Sequence, residues 1–336
     1  MMLMVVSNIG LDLILKALYP GFELLILALL LSLILDLVYP EHRGVMLRIH
    51  PVHTSYTFAL LLGKPYSSRL RGVIVWFIVM STHLTIALIL LILSYYAHPL
   101  LWVLVASLIL KFSFSLKLLL DICYNAYVNL LECRLDNGRR YVQLIVRRNV
   151  YRLDKPHVVS ACIESLAESL VDGFTSPLTY YAILGPLGAL AQRIANTLDG
   201  ALGYKTVEYA RVGWFSAKMD TLLNYVPARL TALLIITFSF TVKNSLVEAF
   251  KVWRRWCRET ESINAGHPMS AMAGALGVRL EKPGYYTLNS SSRLPEPIDI
   301  GRGLKIAIAT SISYILLTIA IITILNIAGE YLSYYH

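Results

Sequence analysis

The sequence predicts an all-α membrane protein with about four spanning helices and a large cytoplasmic helical region. Of its 336 residues, 57% are hydrophobic and only 15% are charged, with a mean hydropathy of +0.61. Soluble domains carry roughly a quarter charged residues. The polar motifs are concentrated in one long stretch, residues 120–303, between apolar segments. These observations together indicate an integral membrane protein with one polar functional region.

Four apolar stretches are long enough to cross a bilayer, which takes about 20 residues. They lie near residues 22–39, 73–95, 99–119 and 304–327. Residues 1–19 are also apolar, but they contain Asp12 and Lys16, which predict an interfacial or lumenal helix. A further apolar segment, residues 226–242, is short for a span and contains Arg229.

The distribution of Lys and Arg predicts the topology, because cytoplasmic loops carry most of the basic residues. The basic loop 41–71 is therefore expected inside and the turn at His98-Pro99 outside. If 226–242 crossed the membrane, the basic residues after it would lie outside, namely Lys251, Arg254, Arg255, Arg258, Arg279, Lys282, Arg293 and Arg302. We therefore expect 226–242 not to cross, and the site within 120–303 to face the cytoplasm. The whole chain, residues 1–336, is interpreted as a single domain of the cell membrane.

Charge and composition narrow the classes of partner. A formal net charge of +9 suits anionic partners such as a lipid surface, a nucleotide or a substrate rich in carboxylates. The basic residues are dispersed, so nucleic acid is not expected. The 4 cysteines form no C-x-x-C pair, which disfavours a zinc or iron–sulfur site. The chain shows no internal repeat of the kind that builds many transporters.

An acidic helix is predicted at the centre of the polar region. Glu164, Glu168 and Asp172 follow one another at intervals of four, so they spread over roughly 80° of one helix face. Two interpretations carry about equal weight: a solvated acidic face, or a face that gathers Mg²⁺ through carboxylate oxygens. Asp154, before Lys155-Pro156, is a typical helix start.

Other local signals predict turns, loops and anion sites. Asp136-Asn137-Gly138 is expected to be the turn that ends a helix leaving the membrane, and 277–299 is expected to be polar loop. Asp199-Gly200 by itself favours a turn, and the stretch after it does not match the Walker spacing. The sequence around Asn264 fits either a plain helix start or an anion site. Arg229, in its apolar stretch, needs a partner.

Several motifs resemble one known family, CobD/CbiB, in order and spacing over nearly the whole chain. The matching residues are His50-Pro51-Val52, Arg148, Glu164-Ser165-Leu166-Ala167-Glu168, Asp172-Gly173, Pro177-Leu178, Asn196-Thr197-Leu198-Asp199, Gly203-Tyr204-Lys205, Asp220, Asn224, Pro227-Ala228-Arg229, Asn264-Ala265-Gly266-His267-Pro268-Met269 and 271–277.

This resemblance implies adenosylcobinamide-phosphate synthase activity in cobalamin biosynthesis. Such enzymes use ATP and Mg²⁺ to join a carboxyl group of the corrinoid adenosylcobyric acid to (R)-1-aminopropan-2-ol or its O-phosphate, which forms an amide. Their surroundings include the lipid bilayer and other late-pathway corrinoid enzymes. The nucleotide expectation rests on the resemblance and not on a phosphate-loop motif.

The site residues that the resemblance implies fall into three groups. The metal ligands are expected to be Glu164, Glu168, Asp172 and Asp199. The catalytic residues are expected to be Glu168, Asp199, Lys205 and Asp220. The substrate- and phosphate-binding residues are expected to be His50, Arg148, Asn196, Asn224, Arg229 and Asn264.

The chain departs from the family pattern at four positions. Tyr39, Asn149 and Thr221 stand where the pattern has acids, and Ser169 stands where it has Asn. A non-catalytic membrane sensor that resembles the AmpE branch is therefore the alternative to the enzyme. A transporter is disfavoured, because the polar residues lie in large loops rather than in the middle of spans.

Overall fold

The computed structural model describes residues 14–334, except the side chains of Glu330 and of residues 332–334. It is 77% helical with almost no sheet, which confirms the predicted class of polytopic helical membrane protein. The helix predicted over residues 1–19 falls mostly outside the described residues.

The α-helices in chain order are α1 Phe22–Val38, α2 Val45–Ile49, α3 Pro51–Leu62, α4 Arg69–Ala97, α5 Pro99–Ser113, α6 Leu116–Leu131, α7 Leu135–Gln143, α8 Lys155–Leu170, α9 Ser176–Leu202, α10 Trp214–Leu223, α11 Tyr225–Thr237, α12 Leu246–Trp256, α13 Gly266–Leu276 and α14 Pro297–Tyr334. Short 3₁₀ helices cover Val150–Arg152 and Phe238–Val242, and a π-helical turn covers Val171–Thr175. Two antiparallel strands, β1 Leu280–Lys282 and β2 Tyr286–Leu288, form a hairpin.

Five helical segments within the described residues are long and apolar enough to cross a membrane. They are Ile14–Val38, Arg69–Ala97, Pro99–Leu131, Tyr225–Val242 and Pro297–Gly329. Four of them contain or overlap the predicted spans. The fifth, Tyr225–Val242, is the segment that the distribution of basic residues predicts not to cross. Its length and composition fit a crossing segment as well as one that does not cross, so the non-crossing assignment stays a prediction.

The chain divides into two compact units, each built from separate parts of the sequence. The first comprises residues 1–115, 177–222 and 316–336. Within it, α5 packs against both α1 and α4, and α3 packs against α4. Two buried aromatic side chains tie this unit together through backbone carbonyls: Trp102 Nε1 donates to Ala17 O (2.7 Å), and Tyr181 Oη donates to Leu25 O (2.6 Å).

The second unit comprises residues 116–176 and 223–315, and α13 lies at its core. All residues of α13 are buried, and the helix packs against α8, α11, α12 and the hairpin. Its small residues permit this close packing. A Cβ atom at Gly274 would lie 2.9 Å from the Cα atom of Ala249 in α12.

Local sequence signals explain where several elements begin and bend. Asp154 caps α8 by accepting a hydrogen bond from the His157 N–H (3.1 Å), as predicted. Helix α9 is kinked at Gly185, where φ is 65° and the next residue is Pro186. A Cβ atom at Gly185 would lie 2.5 Å from Leu18 O, so this close approach also requires glycine.

Three local predictions are wrong. Asp136-Asn137-Gly138 lies inside α7 rather than in a turn, because the chain reverses earlier, at Cys133, whose φ is 60°. Asp199-Gly200 lies in the last turn of α9 and is not a free turn. The polar loop predicted over 277–299 contains the hairpin and the start of α14.

Candidate functional site

Glu164, a predicted metal ligand, accepts four side-chain hydrogen bonds. It lies on α8 and is only 4% exposed. Its Oε1 atom accepts hydrogen bonds from Arg148 Nη2 (3.0 Å) and Ser160 Oγ (2.7 Å). Its Oε2 atom accepts from Arg148 Nη1 (3.1 Å) and Tyr286 Oη (2.5 Å). The two predicted residues Glu164, which is buried, and Arg148, which is half-buried, therefore form a bidentate ion pair.

The electrostatics of this cluster keep Arg148 and Tyr286 in the protonation states that their hydrogen bonds require. Burial disfavours the charge on Arg148, but the attraction of Glu164 outweighs it and raises the pKa of the guanidinium. Burial and then the charge of Glu164 raise the pKa of the Tyr286 phenol well above its usual range. Tyr286 therefore stays protonated and donates to the carboxylate.

The other two acids of the predicted face lie further along the same stretch. Glu168 is exposed, in the last turn of α8. Asp172 is half-buried in the π-helical turn Val171–Thr175, so the regular α-helical spacing assumed for the three acids ends before it. Single π-helical turns inside helices are frequent at functional sites. The acids thus form neither a purely solvated face nor a uniform helical stripe.

A second group of predicted residues lies in the first unit, on α9, α10 and the loop between them. Asn196 Nδ2 donates to Asp220 Oδ1 (3.1 Å). Asp199 follows Asn196 on α9, and its Oδ1 atom lies 1.8 Å from where a Cβ atom at Gly203 would be. The carboxylate therefore needs glycine at the end of the helix. Lys205 is exposed in the following loop.

His50 precedes α3 and belongs to an aromatic cluster in the first unit. Its Nδ1 atom accepts a hydrogen bond from the Val52 N–H (3.1 Å), and its ring lies 4.7 Å from that of His42 and 4.8 Å from that of Phe112. Burial, followed by the nearby His42, lowers the pKa of His50 to about 3. The neutral ring that accepts at Nδ1 carries its proton on Nε2, so neither nitrogen offers a lone pair to a metal.

Arg229 and Asn264, both predicted to bind phosphate, contact each other in the second unit. The Arg229 Nη1 atom donates to Asn264 Oδ1 (3.2 Å) and to Tyr225 O (2.6 Å). The guanidinium also lies over the Tyr225 ring, 3.4 Å from its centroid. Arg229, which was predicted to need a partner in its apolar stretch, therefore has hydrogen-bond acceptors and an aromatic ring beside its guanidinium. Asn224, also a predicted binding residue, is buried just before α11.

Three residues that the sequence did not single out belong to these clusters. Ser160 and Tyr286 bond Glu164, and His267 lies beside Asn264 at the start of α13 and accepts a hydrogen bond from Trp253. Ser160 stands four residues before Glu164, on the same helix face, and His267 lies in the family motif that begins at Asn264. The sequence could therefore have indicated both residues. Tyr286 carried none, because its contact depends on the unpredicted hairpin.

The departures from the family pattern take part in local structure. Asn149 Oδ1 accepts a hydrogen bond from the Tyr151 N–H (3.0 Å) and so caps a 3₁₀ turn. Thr221 Oγ1 donates to Ala217 O (2.7 Å) within α10, and Tyr39 Oη accepts from the Arg43 N–H (3.2 Å). Ser169 is half-buried near the end of α8.

The side chains present fit a metal that arrives with a phosphate ligand. Among residues 14–334, no group of three or more His, Cys, Asp and Glu side chains is placed to hold a metal ion. The four hydrogen bonds to Glu164 already use its acceptor positions. Magnesium in nucleotide enzymes usually takes only one or two carboxylates and completes its shell with phosphates and water. Glu168 and Asp172 are accessible carboxylates suited to that role.

Fold and site together define a polytopic helical membrane protein whose cations, carboxylates and amides are paired in polar clusters. A family model described as "CobD/Cbib protein" matches residues 29–315. The chain therefore belongs to the CobD/CbiB family, as its motifs indicated.

Curated relatives cover most of the chain. A probable cobalamin biosynthesis protein CobD of Aeropyrum pernix is 48% identical over 94% of this chain and 98% of its own length. Proteins of the same description from Thermoplasma volcanium and Methanothermobacter thermautotrophicus are 35% and 33% identical, each over 87% of this chain and over 96% and 95% of their own lengths. No solved structure matches.

Proposed function

We propose that this protein is an ATP- and Mg²⁺-dependent amide ligase that joins adenosylcobyric acid to (R)-1-aminopropan-2-ol or its O-phosphate. One observation carries the proposal: residues of the family motifs that are distant in sequence bond to each other directly. Arg148 pairs with Glu164, Asn196 with Asp220, and Arg229 with Asn264. These pairs are part-buried, and polar groups in such positions are stable only when they bond to each other or to a ligand.

The names of the relatives support the coarser part of this proposal. They are described as cobalamin biosynthesis proteins, which supports a role for this chain in the same pathway. The corrinoid and amine substrates, ATP and Mg²⁺ follow from the family resemblance. We place the reaction at the cytoplasmic face of the cell membrane on the basis of the distribution of Lys and Arg.

Amide formation from a carboxylate requires that the carboxyl oxygen first become a leaving group, most simply by phosphorylation. In this reaction Arg229 would hold phosphate oxygens through charge-assisted hydrogen bonds, and Asn264 would support it. Glu168 and Asp172 would hold the metal, which would supply neutralisation of phosphate charge. Asp199, predicted from the motifs as a further ligand, is tested alongside them.

The amine substrate must lose a proton when it attacks the activated carboxyl group. Asp220 is the residue that we propose accepts this proton, because the hydrogen bond from Asn196 fixes the orientation of its carboxylate. The Arg148–Glu164 pair with Tyr286 would position α8 and its exposed Glu168 rather than react. His50, with its neutral ring beside Phe112, would contact the corrinoid or another substrate through packing.

The decisive experiment is an assay of the purified, detergent-solubilised full chain with adenosylcobyric acid, aminopropanol phosphate and Mg-ATP, with the amide detected by mass. We expect Glu168→Ala and Asp199→Ala to reduce turnover by at least about 100-fold, as for loss of a group that acts on the transition state. Glu248→Ala is the matched control, because Glu248 is 59% exposed and its ion pair with Lys251 lies at the surface. Full turnover in both test variants would discard the metal assignment. An absence of amide from folded wild-type protein would favour the sensor.

A further inference from the structure

His267 is the second residue of α13, and one nitrogen of its ring accepts a hydrogen bond from the indole of Trp253. It is 8% exposed, and its Nδ1 atom lies 3.1 Å from Trp253 Nε1 on α12. An indole nitrogen only donates hydrogen bonds, so Nδ1 must accept. The neutral ring therefore carries its proton on Nε2.

The ring is held neutral by its surroundings. Burial, followed by the positive charges of Arg229 and Arg258, lowers the pKa of His267 to about 4. Trp253, which packs against the ring, brings no charge. At neutral pH the side chain is consequently a neutral donor with a single fixed tautomer.

The Nε2–H group of this buried ring makes no hydrogen bond to any residue in the described part of the chain. This Nε2 atom is not one of the fully buried unpaired atoms, so the donor stands at an accessible edge of the ring, where a ligand or water can bond to it. Two independent features beside it favour an anion. The guanidinium of Arg229 bonds to Asn264, three residues before His267, and the start of α13 presents the positive end of an 11-residue helix.

We propose that His267 is a binding residue for phosphate: its Nε2–H donates a neutral hydrogen bond to a phosphate oxygen that Arg229 and the start of α13 also hold. This inference rests on the proposed function, because it identifies a phosphate ester as the ligand of one part of that site. The ester is carried either by the nucleotide or by the amino alcohol, and both present the same oxygens to the ring. Trp253 is then a positioning residue, since it acts only by fixing the tautomer of His267.

Two substitutions of the same residue separate the two ring nitrogens. In His267→Gln the side-chain amide reaches the position of Nε2 and keeps a donor there. In His267→Asn the amide reaches only the position of Nδ1, where it keeps an acceptor for Trp253 and loses the distal donor. Both variants are uncharged and polar, so a general effect of polarity or packing acts on both.

Binding of ADP and of O-phosphoethanolamine to the full chain in detergent would be measured by isothermal titration calorimetry. We expect His267→Asn to weaken binding by about 10- to 100-fold, the range for loss of a hydrogen bond to a charged group, and His267→Gln to weaken it by less than about 5-fold. If His267→Asn loses affinity for ADP alone, the phosphate bound by His267 belongs to the nucleotide. If it loses affinity for O-phosphoethanolamine alone, that phosphate belongs to the amino alcohol. Equal affinities of the Asn and Gln variants for both ligands would overturn the proposal.

A measurement on the wild-type chain keeps the proposal testable if a variant does not fold. Sulfate keeps one charge state from about pH 5.5 to about pH 8, so any pH dependence of its binding reports on the protein. We expect its affinity to stay constant within about 2-fold, because His267 is neutral throughout. An affinity that rises steeply as the pH falls through 6.5, the ordinary pKa of histidine, would contradict a neutral donor.

Binding does not require amide formation, so the two proposals fail separately. If wild-type protein forms no amide but His267→Asn still loses phosphate affinity selectively, the proposed reaction is wrong and the phosphate site stands. If amide forms while His267→Asn binds both phosphate esters as the wild type does, the reaction stands and the role of His267 is wrong. Trp256→Phe, on the same helix as Trp253, is the control for Trp253→Phe, which we expect to weaken binding less than His267→Asn.

Discussion

The carboxylate of Glu164 connects three parts of the second compact unit by hydrogen bonds. It bonds to Ser160 on its own helix, to Arg148 before that helix and to Tyr286 on the hairpin. Because each oxygen accepts two hydrogen bonds, the cost of burying the negative charge is offset. Its neighbour Glu168 lies one turn away and is exposed, and we propose that Glu168 is the carboxylate that binds the metal.

Glu164→Gln should destabilise the fold strongly. The substitution keeps the shape but leaves the buried guanidinium of Arg148, 18% exposed, without an opposite charge. We expect the free energy of unfolding to fall by about 3–5 kcal/mol, as for other broken buried pairs. Chemical denaturation in detergent micelles would measure it. The matched Glu248→Gln, at an exposed pair, should change it by less than about 0.5 kcal/mol, and an equal effect of both would contradict the role assigned to Glu164.

At the scale of elements, His157 links the first turn of α8 to the hairpin. Its Nδ1 atom bonds to Asp154, and its Nε2 atom lies 2.6 Å from Glu281 Oε1. Burial alone would lower the pKa of His157, but the hydrogen bonds to these two carboxylates outweigh it and raise that pKa above 6.5. Glu281 also pairs with Arg279 (3.0 Å), so the hairpin keeps a cation when the imidazole is neutral.

This link should make stability depend on pH. Because the folded-state pKa is raised, the stabilisation by His157 is fully present below pH 6.5 and is lost as the pH rises through the higher folded-state value. Thermal unfolding of wild-type protein and His157→Gln should therefore differ most near pH 6 and converge in alkaline solution. The exposed His53→Gln should track the wild type. A difference that grows with pH would show that the imidazole is not held in its charged form.

The elements that the sequence predicted well are those whose signals are local. The start of α8 follows from one capping residue, Asp154, and the spans follow from apolar length alone. The hairpin could not be predicted, because its strands are three residues each and are stabilised by contacts with α8 and α13. The same limit holds for the site. The motifs gave Arg148 and Glu164 separately, but not their bidentate pairing, which depends on how the chain between them folds.

At the scale of the whole molecule, the path of Tyr225–Val242 determines on which side of the membrane the residues after it lie. This segment meets the length and hydropathy that a span requires. Its second turn nevertheless contains Arg229, which bonds to Asn264. The many Lys and Arg after it would also have to lie outside if it crossed. Both facts favour a segment that packs without crossing.

Cysteine labelling would measure this topology. In a background in which the exposed Cys133 is replaced by Ser, Arg258→Cys should react with a membrane-impermeant maleimide only from the cytoplasmic side. His98→Cys, in the turn between α4 and α5, should react only from the opposite side and serves as the control. Labelling of both positions from the same side would show that the segment crosses.

The ion pair between Asp36 on α1 and Lys111 on α5 has a consequence for biogenesis. The two charged atoms are 2.8 Å apart, and the side chains are 4% and 3% exposed between apolar helices. A lone charge in hydrocarbon is costly, and these two are 75 residues apart in the chain. During synthesis, α1 therefore leaves the ribosome well before Lys111 is made. We expect α1 to be unstable in lipid until Lys111 pairs with Asp36. A chain truncated at the turn before α5 lacks Lys111, whereas a chain truncated after the end of α5 contains it. We expect the shorter chain to be degraded faster in a pulse-chase experiment.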